Sequence, residues 1–112
     1  MNLIRQRSEA IDHYEEQAAA LGRAEARYDA ARETIKMKVR LMDGVKTNAE
    51  AETWADVDPE VVALNEERKV GTGLVKATLL RIDNLQSEIQ AVQSMLVKER
   101  ETDLIHMRHG EG

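Results

Sequence analysis

The chain has 112 residues, room for one slim domain, with 16 basic against 21 acidic side chains and a formal net charge of −5. It contains no Cys and no Phe, only one Trp, two Tyr and one Pro. Disulfides and cysteine-ligated metals are thereby excluded, and the acidic balance argues against wholesale coating of nucleic acid.

The opening "MNLIRQRSEAID" carries no apolar run long enough for a signal peptide, and no stretch approaches the ~20 apolar residues of a bilayer span. A cytoplasmic protein is predicted, with no membrane partner. Ala, Leu, Ile, Val, Glu, Lys and Arg dominate, the profile of long amphipathic helices.

In chain order, the first element is a long helix from about residue 2 to 43. Tyr14, Leu21, Tyr28, Ile35 and Met42 recur every seven residues and form an apolar seam. Ala10, Ala24 and Ala31 run beside it on a line interrupted by Gln17. Ile4, Ile11, Ala18 and Val39 form a third, broken by Glu25 and Arg32. Gly22 is the one breaker inside, and Gly44 is placed to end the helix.

An elbow follows, with a short helix over about 47–56. Thr47 and Glu50 stand at capping-box spacing. Asp58 then caps a second long helix, about 59–108, with Pro59 in its first position, where the missing N–H costs nothing. Its seam runs Val61, Leu64, Arg68, Gly71, Val75, Thr78, Ile82, Leu85, Ile89, Val92 and Leu96 before Glu99 and Asp103 take over the stripe.

The expected fold is all-α, one domain over 1–112: an antiparallel two-helix coiled-coil hairpin with a short helical elbow. Aligning the seams sets Ile35 near Arg68, Tyr28 near Val75, Leu21 near Ile82 and Tyr14 near Ile89. Each rod then buries one stripe, and Leu41, Val45, Leu74, Leu79, Leu80, Met95 and Val97 are left over. Association into a bundle or ring is the expected remedy. Within this helix, "GTGLVK" lacks both the spacing and the strand–loop–helix setting of a phosphate loop. Gly71 falls on the seam, so its smallness serves close packing or leaves room for the Tyr28 ring.

Two stretches are basic. Residues 32–46 hold Arg32, Lys36, Lys38, Arg40 and Lys46 against Glu33 and Asp43; residues 68–82 hold Arg68, Lys69, Lys76 and Arg81 with no acid. The expected pairing brings them side by side at the elbow half. They are either solvated faces whose stems cover the core or a surface for an anionic partner, most simply nucleic-acid phosphate. Trp54 and Tyr28 are candidate stacking surfaces for bases.

His106 and His109 stand three apart near the C-terminus, without the paired Glu-x-x-His sets of a di-iron bundle. No nucleophile–base arrangement is visible. Neither an enzyme, a cofactor nor a small-molecule substrate is expected.

"ARYDAARETIKMKVR", "KTNAEAETWADVDPEVVALNEER" and "LLRIDNLQSEIQAVQSMLVKER" together resemble small helical phage proteins encoded among recombination and replication genes. More distantly they resemble the recombination mediator of T-even phages. That resemblance covers roughly residues 24 to 100. It implies a helical oligomer that binds single-stranded DNA and helps load a recombinase.

The resulting expectation is a non-enzymatic accessory factor that self-associates. It would bind nucleic acid or a DNA-handling protein through Lys36, Lys38, Arg40, Lys46, Arg68, Lys69 and Lys76. The rival is a protein-only module, such as an inhibitor docking on a host enzyme.

Overall fold

The computed structural model describes residues 2–42, 44 and 47–110, with side chains up to Ile105. Three helices account for nearly all of it, and there is no strand among the described residues: α1 (Leu3–Arg40), α2 (Asn48–Val57) and α3 (Pro59–Gly110). The fold is all-α.

Each helix start is fixed by a side chain that accepts an otherwise unpaired backbone N–H. Asn2 Oδ1 accepts from Ile4 N at 2.9 Å, and Thr47 Oγ1 from Glu50 N at 3.1 Å. Asp58 Oδ1 accepts from both Glu60 N and Val61 N, at 3.0 and 3.2 Å. Pro59 follows as the first residue of α3. At the other end of α1, Leu41 N and Met42 N bond back to Lys38 O and Val39 O. The chain then turns through Gly44, whose φ of 89° is the left-handed region that glycine enters without a Cβ penalty. α1 thus stops at Arg40, short of the expected end near Asp43, which itself lies outside the described residues.

α1 and α3 lie side by side and antiparallel in a rod 97 × 22 × 14 Å. Their pairing differs from the seam alignment. Leu21 meets Gly71 rather than Ile82, and Tyr28 lies under Arg68 rather than beside Val75. Arg27 reaches Glu67 at 2.7 Å, and Thr78 donates to Gln17 at 2.5 Å.

The cause is α2. It does not project as an elbow but folds back along the last turns of α1, so the sharp turn falls between α1 and α2. With α2 occupying the space beside residues 32–40, α3 begins further along α1 and outruns its start. From Gln90 to Ile105 every side chain of α3 is exposed.

The buried core is thin and made largely of small side chains: Ala10, Ala24, Ala51 and Ala55, with Val39, Val61 and Leu85. Tyr14, Leu21, Tyr28 and Ile35, the expected centre of the seam, are only half-buried, and Met42 is exposed. The alanine line that sequence pattern places on the flank thus lies deepest, because alanines allow close approach of the backbones. Gly71 serves the same end. A Cβ there would sit 3.1 Å from Leu21 Cδ1. Its role is close packing, as expected, and the side chain it accommodates is Leu21 rather than the Tyr28 ring.

Candidate functional site

The two basic stretches engage different partners. Residues 32–40 lie against α2, whereas the contacts of 68–78 are with the middle of α1. The expected joint surface at the elbow half is therefore split into two successive levels of the rod. The reason is the displaced start of α3.

At the first level, cations of α1 face polar partners on α2 every fourth residue. Arg32 Nε bonds Asp56 Oδ1 at 3.1 Å, Lys36 Nζ lies 3.7 Å from Glu52 Oε1, and Arg40 Nη2 donates to Asn48 Oδ1. Four residues is just over one helical turn, so three rungs line up along one antiparallel contact. Lys36 is the deepest, at 8% exposure, and takes a second carboxylate from Glu33 at 3.2 Å. The hydrogen bond that Arg32 donates to Asp56, opposed by partial burial and reinforced by the charge attraction, holds the Arg32 guanidinium above its ordinary range. It stays charged at every physiological pH, so this rung is insensitive to acid–base change at the arginine.

Of the residues predicted to contact phosphate, Lys36 is committed to this ladder and Arg40 is bonded to Asn48. Lys38 is exposed, with no ion pair among the described residues. Lys46 lies outside the described residues. Arg68 is half-buried, its guanidinium 4.6 Å from the centre of the Tyr28 ring. Its Nη2 donates to Asn65 at 2.8 Å, and its Nε is buried without a hydrogen-bond partner. Lys69 is exposed and 3.7 Å from Glu66. Lys76 is exposed with no ion pair among the described residues.

Tyr28, capped by Arg68, offers no open face to a base on that side, whereas Trp54 is 52% exposed. The side chains of His106 and His109 are outside the described residues.

Pattern reading missed Glu52 and Asp56, the carboxylates that occupy these cations. Their signal was present: Asn48, Glu52 and Asp56 repeat at the same spacing as Arg32, Lys36 and Arg40.

Two apolar features remain. One is a trough of about 200 Å³ between α1 and α3, lined by Ala20, Leu21, Ala24, Val70, Gly71 and Leu74. The other is the end of α3 beyond α1, where Val92, Met95, Leu96, Val97, Leu104 and Ile105 are all exposed. No family model, curated protein or solved structure matches the chain.

Proposed function

We propose that the protein is a non-enzymatic, self-associating coiled-coil factor of the phage type. In this reading it is an accessory to DNA recombination or replication that docks on a DNA-handling protein. One observation carries the proposal: α3 outruns α1 and leaves Val92, Met95, Leu96, Val97, Leu104 and Ile105 exposed. In water most helical stability comes from packing an apolar face rather than from intrinsic propensity. A helix built in this way is completed by association. The resemblance of residues 24 to 100 to recombination-region phage proteins supplies the setting.

Direct contact with nucleic acid is the second reading. It is favoured by Lys38 and Lys76, both exposed and unpaired among the described residues, and by the absence of any acid between residues 68 and 82. With Lys36 and Arg40 engaged by side chains of α1 and α2, fewer cations than pattern suggested are open to phosphate.

The test has two arms. Purified protein is titrated against a phage recombinase and a phage annealing protein, and separately against labelled single-stranded oligonucleotide at low salt. The docking reading expects saturable protein binding that Leu96→Glu abolishes. The nucleic-acid reading expects affinity that falls steeply with salt and is lost when Lys38, Lys69 and Lys76 are changed to Glu. Absence of both interactions would refute the DNA-accessory role.

A further inference from the structure

The trough and the free end of α3 lie on one helix face. Val70 and Ala91 are three heptads apart, as are Leu74 and Met95, and a repeat of seven keeps side chains on one side of a helix. Val70 and Met95 are each 62% exposed, and Leu74 is 50% exposed. This face therefore carries a shallow receptor at one end and an uncovered apolar ridge at the other. Its charges are ordered as well: Glu67 beside the trough, Arg81 and Glu88 between, Lys98 beside the ridge.

We infer that a second copy of this chain is the occupant, antiparallel, with the α3 end of each copy seated in the other's trough. The inference rests on the self-association proposed above and specifies its geometry. A two-fold axis between Ile82 and Asp83 sets Leu74 opposite the second copy's Ala91, and Val70 opposite its Met95. Large residues then face small or flexible ones, as interdigitated packing requires.

The same axis sets Glu67 opposite the second copy's Lys98, and Arg81 within one turn of its Glu88. Every contact occurs twice, which is the self-complementarity that a two-fold interface demands. Parallel alignment would instead stack each of these charges on its own kind, which selects the antiparallel pairing. Glu67 is half exposed while holding Arg27, so it has open lone pairs for a second cation. The small side chains in the lining of the trough, Ala20 and Ala24, leave the incoming Met95 its space.

The experiment uses the full chain, which has no native cysteine. A double variant, Leu74→Cys with Ala91→Cys, places two thiols seventeen residues apart on one helix. That is about 25 Å, beyond the reach of any disulfide within the chain. Mild oxidation is expected to give a covalent dimer, whereas Leu74→Cys with Lys98→Cys, out of register, gives none.

In sedimentation equilibrium, Lys98→Glu or Glu67→Lys alone is expected to weaken the dimer on the order of tenfold, and the two together to restore it. A wild-type chain that is monomeric at micromolar concentration would overturn both self-association and this geometry. An oligomer that neither cross-links at 74/91 nor responds to the charge exchange would overturn this geometry alone.

Discussion

Glu52→Lys is expected to destabilise the protein more than its half-exposed position suggests. Lys36 is 8% exposed and holds Glu33 at 3.2 Å and Glu52 at 3.7 Å. At an effective dielectric constant of about 20, each attraction is roughly 4–5 kcal/mol before solvent competition. Both carboxylates see water, Glu33 at 63% exposure and Glu52 at 41%, so the net value of either contact is nearer 1 kcal/mol. Reversing Glu52 removes one attraction and brings a like charge to a largely buried ammonium, for a total loss of about 2–3 kcal/mol. In a chain of this size that is a fall of roughly 8–15 °C in Tm.

Circular dichroism melts at fixed protein concentration read the effect, with Glu16→Lys as an exposed control outside the ladder. The exchanged pair Lys36→Glu with Glu52→Lys should recover at least half of the loss. Lys36→Met, which removes both the charge and its need for partners, should be close to neutral. If Glu52→Lys melts with Glu16→Lys, or if the exchanged pair is no better than its worse single variant, the ladder does not hold α2 on α1.

Other expected outcomes follow from the same packing. Gly22 has nothing within 4 Å of an added Cβ, so Gly22→Ala should gain about 1 kcal/mol of helix propensity in urea unfolding. Gly71→Ala meets Leu21 and should gain less or nothing, while Gly71→Val should lose about 1–3 kcal/mol by overpacking; equal gains at 22 and 71 would contradict the contact. Arg68→Ala gives up the stacking on Tyr28, a loss of about 0.5–1 kcal/mol that should vanish in a Tyr28→Leu background; an undiminished loss would deny the pairing. A chain ending at Gln90 should keep the hairpin's thermal transition under monomeric conditions, yet lose oligomerisation by light scattering. An unchanged oligomer would place the interface elsewhere.

Local features were legible in the sequence because their causes are local. Thr47, Asp58, Pro59 and Gly44 act within a turn of their own position, and each does what its residue type implies. The existence of both long helices followed from period alone. Their mutual register did not. A helix seam looks nearly the same after a slip of seven residues, so Tyr28 could be matched to Val75 or to Arg68 without disturbing the pattern. What decides is where α2 goes, and that depends on side chains far apart in sequence. Glu52 reaches back to Lys36 and Asp56 to Arg32.

Treating the short helix as a loose elbow therefore put the two positive stretches together, when the first is in fact held by α2. The overshoot of α3 was unreadable for the same reason. The glycine of "GTGLVK" was legible in kind, as a packing device, and misplaced in partner.

The doubling back of the chain with Leu21 against Gly71 is the claim on which the split basic surface, the trough and the free end of α3 all depend. An ideal Cβ on Gly71 lies 3.7 Å from Leu21 Cβ, inside the range of disulfide-bonded cysteines. Leu21→Cys with Gly71→Cys should form an intramolecular bond in dilute protein under mild oxidation, read by the intact mass and the linked peptide. Efficient bonding instead by Leu21→Cys with Ile82→Cys, the pair that seam alignment alone would bring together, would contradict the register and everything built on it.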